Sequence, residues 1–213
     1  PPPGIEPGVG DTLVEAHGLT FRHAGRAERV LDGVSLTVRA GDRLLLEGPS
    51  GGGKSTLGSI LAGLREPATG LLLLGGLDLP TLGTAGWRRR VVTAPQFHEN
   101  HVLGATLGFN LLMGKSWPAS DATLRDAEAL CRELGLGDLL DRMPSGMMQM
   151  VGETGWQLSH GEKSRLYIAR ALLQGADLLV LDESFAALDP DNLRRALRCV
   201  LERARAVVVI AHP

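Results

Sequence analysis

The chain has 213 residues, enough for one large domain or two lobes burying roughly 70 to 75% of the unfolded surface. Its 22 basic and 24 acidic residues leave a formal charge of −2, which gives no electrostatic reason to expect nucleic acid or an anionic membrane surface as a partner, so anion binding must be local. The two cysteines, Cys131 and Cys199, are far apart in helical-looking segments, which excludes a disulfide framework and a CxxC metal pattern and suggests free thiols in a reducing compartment. No apolar run approaches the ~18 residues of a membrane span, and no signal peptide is visible.

Residues 1–10, PPPGIEPGVG, carry almost no core-forming side chains and read as a linker, with more polypeptide expected before them. From Thr12 to Leu46, alternating runs such as Val34, Leu36 and Val38 are broken by Gly25, Asp32–Gly33 and Gly41–Asp42, which predicts a small, mostly antiparallel sheet. Leu44–Glu47 reads as a buried strand ending in a glycine-rich loop, with a helix over Lys54–Leu64 behind it. Strand candidates at Leu71–Leu74 and Arg90–Ala94 precede a mainly helical stretch from about His101 to Leu173. Within it, a helix is predicted over Asp121–Leu134 with Ser120 as N-cap. A second begins behind Ser159 and Gly161, where Leu166, Ile168, Ala169, Leu172 and Leu173 recur at helical spacing. Asp177–Leu181 and Val207–Ala211 are short apolar strands, and Asp189 with Pro190 opens a helix between them. Strands alternating with helices predict an α/β fold with a parallel sheet, a β lobe in front and a helical insertion in the middle.

Chemistry concentrates in two places. GPSGGGKST, Gly48–Thr56, fits G-x-x-x-x-G-K-[ST] between a strand and a helix, the context that pattern requires. There Gly48, Ser50, Gly51, Gly52 and Gly53 let backbone amides curl around a β-phosphate, Lys54 brings a point charge to the β and γ oxygens, and Ser55, followed by Thr56, offers a hydroxyl to Mg²⁺. Lys54 is one of only three lysines, so its placement is not a matter of composition. In LLVLDES, Leu178–Ser184, Asp182 falls at the C-terminal end of a buried strand, where ligands of open α/β sheets gather, and is expected to hold the metal. Glu183 follows as the natural general base for an attacking water. A flexible glycine linker and simple strand-end polarity are the plainer readings of these two stretches; their sequence context disfavours both.

With these residues in hand, the chain resembles the nucleotide-binding domain of an ATP-binding cassette (ABC) transporter of the exporter type over nearly its full length. LSHGE, Leu158–Glu162, is similar to the family signature LSGGQ, with His160 in place of the first glycine and Glu162 in place of the glutamine. The resemblance implies that Ser159 and Gly161 meet the γ-phosphate of ATP held by an opposite subunit. Gln96 in TAPQFHEN resembles the glutamine that binds metal and water, Asp189 in AALD the loop that crosses the dimer interface, and His212 the switch histidine. His23 in LTFRHAG stands where an aromatic, adenine-stacking residue is expected, and MVGETG, Met150–Gly155, resembles the exporter segment that reads coupling helices. Implied with these are a P-loop NTPase core with a parallel sheet, an N-terminal antiparallel β-subdomain and a helical subdomain insertion. The nucleotide-binding domain would span 11–213, with core and β-subdomain at about 11–96 and 174–213 and the helical subdomain at about 97–173. The implied cofactors are ATP and Mg²⁺, the metal held by Ser55, Gln96 and Asp182, with Glu183, His212 and Gln96 catalytic. The implied partners are a second nucleotide-binding domain, as homo- or heterodimer, and a transmembrane domain in the same native polypeptide, at the cytoplasmic face of a membrane.

The alternative is a soluble ABC-type ATPase acting on DNA or ribosomes, which the balanced charge and the lack of a long coiled-coil insertion disfavour. A GTPase switch would need an N-K-x-D base-reading motif, and the chain has none. His98 and His101 lack partners at a recognised zinc spacing apart from Glu99. Arg88–Arg90 reads as a solvated helix end, and Met143, Met147, Met148 and Met150 as adaptable packing beneath a loop.

Overall fold

The computed structural model describes residues 12–25, 27–94 and 101–211. In chain order the first elements are β1 (Thr12–Phe21), β2 (Leu31–Arg39), β3 (Arg43–Leu46), α1 (Lys54–Leu61), β4 (Thr69–Leu74), α2 (Leu79–Arg90) and β5 (Val91–Ala94). They are followed by β6 (Ala105–Thr106), α3 (Leu107–Leu111), α4 (Asp121–Glu133), α5 (Gly137–Arg142), β7 (Met150–Val151), α6 (His160–Leu173), β8 (Leu178–Asp182), α7 (Pro190–Arg203) and β9 (Val207–Ile210). Two units divide the chain: Pro1–Thr93 with Ala176–Asp182 and Arg205–Pro213, and Ala94–Gly175 with Glu183–Ala204.

In the first unit β1 pairs antiparallel with both β2 and β4, while β3 and β8 run parallel to β9 in a four-stranded sheet of order β3-β9-β8-β5. Every residue of β8 is buried, as expected of a central parallel strand covered on both faces. Three sequence expectations change here. Asp32–Gly33 is no turn: it lies inside β2, where the register with β1 shifts between the Leu19–Val34 and Phe21–Leu31 pairs, so a bulge absorbs the extra residue. The strand before the glycine-rich loop is not buried, because β3 sits at the edge of its sheet and leaves Leu45 60% exposed. The helix expected to reach Leu64 stops at Leu61, because the Gly63 and Leu64 amides turn back to the carbonyls of Ile60 and Ser59, a glycine stop with Gly63 at φ 66°.

The core of this unit gathers Leu13, Leu19, Ile60, Leu61, Leu74 and Trp87 with Val180 and Ile210. Gly58 lets α1 lie close on the parallel sheet: a Cβ there would stand 2.9 Å from Ile210 Cδ1 and 3.3 Å from Val180 Cγ1. Trp87 is fully buried and its indole N–H donates to Leu61 O at 2.9 Å, which ties α2 to the end of α1. The run Arg88–Arg90 does end a helix, and Arg90 and Arg205 both pair with Asp177, at 2.7 and 2.9 Å.

The second unit is mainly helical around buried Leu107, Leu111, Leu130, Leu134, Leu166 and Ile168. Ser120 caps α4 as expected, accepting from the Thr123 amide at 3.2 Å. The pairing of β6 with β7, Ala105 to Val151 and Thr106 to Met150, escaped the sequence reading because two-residue strands carry no periodicity. Met143 and Met147 are core, whereas Met148 and Met150 are 53% and 47% exposed, so half of the methionine cluster faces outward. Cys131 and Cys199 are buried free thiols, each pushed up to about 12 with burial as the largest cause.

Candidate functional site

In the first unit the loop Gly48–Gly53 leaves β3 and delivers Lys54 as the first residue of α1. Gly53, the N-cap, has φ 85°, and a Cβ on it would fall 2.7 Å from Val30 O and 2.8 Å from Leu31 Cδ2, so conformation and space both exclude a side chain. The Gly52 amide donates to Pro49 O at 3.2 Å, folding the loop back on itself. Lys54 is 8% exposed, and its ammonium donates to Gly48 O at 2.7 Å and Pro49 O at 2.9 Å. The cation is thereby held against the loop's first residues. No side chain caps α1, and no carboxylate lies in its first turn. A glycine-rich bend feeding an uncapped helix start, with a fixed cation beside it, is an anion cradle.

Asp182 closes β8 in the same unit and is 7% exposed. A buried carboxylate with the hydroxyl of Ser55 on α1 gives the hard oxygen chemistry that Mg²⁺ prefers. Thr56 is buried, and its Oγ1 lies 3.3 Å from Nε2 of His23, whose ring meets Phe21 edge-on at 5.1 Å. The residue expected to stack on a base is therefore tied to the helix that carries the phosphate loop.

The second unit holds Glu183 and the loops before α6 and α7. Glu183 has φ 51° and is the one non-glycine residue with positive φ among those described. Such a backbone costs roughly 1–2 kcal/mol for an ordinary residue. Ser159 caps α6 in a reciprocal box: its Oγ accepts from the Glu162 amide at 3.2 Å, and the Glu162 carboxylate accepts from the Ser159 amide at 2.7 Å. The hydroxyl accepts in that bond, so its own proton stays available to an anion. Arg142 of α5 pairs with the outer oxygen of Glu162 at 2.7 Å. Glutamate in place of the family's glutamine thus serves both a cap and an ion pair.

His160 is the exposed first residue of α6 and needs no positive φ, so this position has no backbone requirement for glycine. A Cβ on Gly161 would meet Ala187 O at 3.4 Å, an ordinary van der Waals contact. Asp189 caps α7, accepting from the Asp191 and Asn192 amides at 3.1 Å each, and the Asn192 side-chain amide, ahead of these backbone bonds, holds its carboxyl below the usual range. Gln96, His98 and His212 lie outside the described residues. Sequence reasoning missed Arg142 of α5, which pairs with Glu162, and Arg165 within α6, which donates to Gly161 O. The S-x-x-E spacing from Ser159 to Glu162 could have revealed the cap, but nothing local in the sequence points to either arginine.

The family model described as ABC transporter matches residues 31–186. The mycobactin import ATP-binding/permease protein IrtB of Mycolicibacterium thermoresistibile is 41% identical over 87% of this chain and 31% of its own length. The ATP-dependent lipid A-core flippase of Dechloromonas aromatica is 36% identical over 97% of this chain and 35% of its own. A solved bacterial Atm1-family ABC exporter with ATP bound superimposes with a TM-score of 0.83 at 31% identity, covering 100% of this chain and 36% of the exporter. The chain therefore spans about a third of the length of these two relatives.

Proposed function

The chain belongs to the ABC transporter family as its ATP-binding, ATP-hydrolysing domain, and from that premise we propose that it drives an exporter-type transporter by closing head to tail with a second copy or a close relative over two Mg-ATP. The observation that carries this is the phosphate loop Gly48–Thr56, set at the start of α1 in the same unit as the buried Asp182. In this reading the loop amides and Lys54 bind and orient the triphosphate, and His23 backs the base. Ser55, Asp182 and Gln96 would hold Mg²⁺, which when bound neutralises charge on the β and γ oxygens. Glu183 orients the attacking water and takes its proton, with His212 at the γ-phosphate. Ser159 and Gly161 reach the ATP held by the other copy, and Asp189 lies at the interface between the two.

A membrane partner is supported by the ATP-binding/permease name of a relative and by apolar surface on this chain: Leu103 is 42% exposed, alongside exposed Met148 and Met150 at the β6–β7 pair. Among the described residues no helix is long and apolar enough to cross a membrane. We place the domain at the cytoplasmic face, where ATP is available. The relatives' named cargoes, mycobactin and lipid A-core, differ.

The test is Glu183→Gln in the intact protein. Mg-ATP binding should stay within a few-fold, while hydrolysis falls roughly 10²- to 10⁴-fold and ATP-bound pairs accumulate. Hydrolysis at the wild-type rate would remove Glu183 from the mechanism.

A further inference from the structure

Arg165, on α6, has no part in the mechanism above, yet it is 9% exposed and bonds the first turn of its own helix and two other segments of the second unit. Its Nε donates to Gly161 O at 3.0 Å. Its Nη1 donates to Gly135 O at 2.6 Å and to Asn192 Oδ1 at 2.9 Å. Asn192 passes the contact on, because its Nδ2 donates to Asp189 Oδ2 at 2.6 Å while Asp189 Oδ1 caps α7. The chain gives way to this arrangement at Gly135, where φ is 81° and a Cβ would lie 2.9 Å from Asn192 Oδ1 and 3.1 Å from Arg165 Nη1. Burial pulls the guanidinium below its ordinary value, an effect that Glu162 and Asp189 oppose. A guanidinium presents donors in several directions from one rigid plane, which a lysine cannot do.

We propose that Arg165 is a positioning residue that locks the Ser159–Gly161 loop and the Ala186–Asp189 loop into one rigid body, so that a second copy meets both in a single fixed geometry. The relay runs from the Gly161 carbonyl through Arg165 and Asn192 to Asp189. The proposal rests on the reading in which both loops close on nucleotide held by the other copy.

The decisive variant is Asn192→Asp in the intact protein. It keeps an acceptor for Arg165 but replaces the donor facing Asp189 with a second carboxylate oxygen. The lost bond and the facing carboxylates cost stability, so a merely structural role for Asn192 predicts a lowered melting temperature with kcat per folded molecule unchanged. The relay predicts a fall in kcat of about ten- to a hundredfold with KM for ATP within about twofold, because loop misplacement spoils the closed geometry and leaves the phosphate loop intact. Arg165→Lys should fall similarly, and the double variant should be no slower than the worse single, since both cut the same relay. Wild-type kcat in Asn192→Asp, or losses that multiply in the double variant, would overturn the proposal. Should Arg165→Lys fail to fold, Asn192→Asp alone decides. An intact wild-type protein that hydrolyses no ATP would sink the nucleotide reading itself, a result distinct from active wild type with indifferent variants.

Discussion

Two helices in this chain start at glycine-containing loops, and their first turns are finished in opposite ways. The N-cap of α1 is Gly53, without a side-chain cap or a first-turn carboxylate. The N-cap of α6 is Ser159, closed by Glu162 in a full capping box and braced by Arg142. Exposed amides at a helix start are a standing cost unless something accepts from them. The first helix therefore gives up local stability for a ligand, whereas the second settles its own amides and offers a hydroxyl in a fixed place. The two ends should thus fail differently when altered, one in affinity and the other in stability and closure.

The largest effect is expected at the uncapped end. Lys54→Met removes the charge held against the loop and should weaken ATP binding about 10- to 100-fold by equilibrium titration, the range of one lost charge-assisted bond. A variant that still binds ATP at wild-type strength would break the comparison at its root. Ser159→Ala should leave ATP affinity within about twofold while lowering stability by about 0.5–2 kcal/mol, read as a fall of a few degrees in calorimetry. Its hydrolysis should drop as well, because the hydroxyl is lost. Glu162→Gln is milder. It keeps an oxygen for the Ser159 amide and loses only the ion pair with Arg142, whose side chain is 58% exposed, so about 0.2–1 kcal/mol is expected. Thermal melts of Glu162→Gln, Arg142→Ala and the double variant check this, and the double should be no worse than the worse single. The smallest effect belongs to His160→Gly, which should leave ATP turnover within a few-fold, since the side chain is exposed and the backbone ordinary. A large loss there would show that the imidazole itself touches phosphate or a partner.

What could be read from the sequence was whatever local chemistry determines. Ser120 and Asp189 with Pro190 marked two helix starts correctly, because a cap bonds its own next turn, whereas the start read behind Gly161 falls at His160, with Ser159 as the cap. The glycine-rich bend between β3 and α1 was legible for the same reason, since its nine positions Gly48–Thr56 are consecutive. Features fixed by distant partners were not. Asp32–Gly33 looks like a turn in isolation and becomes a bulge only because β1 pairs on both sides of it. The apolar Leu44–Leu46 run looked interior, and edge placement of β3 is a property of the whole sheet. Arg165 reads as one more helical arginine until Gly135 and Asn192, thirty and twenty-seven positions away, are brought to it.

If Glu183 is the proposed base, its positive φ sets stamina against speed at a single position. Glycine would take that backbone at little strain, and asparagine with less than glutamate, yet neither offers a carboxylate. A laboratory selection for heat resistance alone would be drawn to replace Glu183, and every survivor carrying that change should be sturdier and nearly idle. Persistence of glutamate in such a selection would mean that its surroundings, not catalysis, demand it.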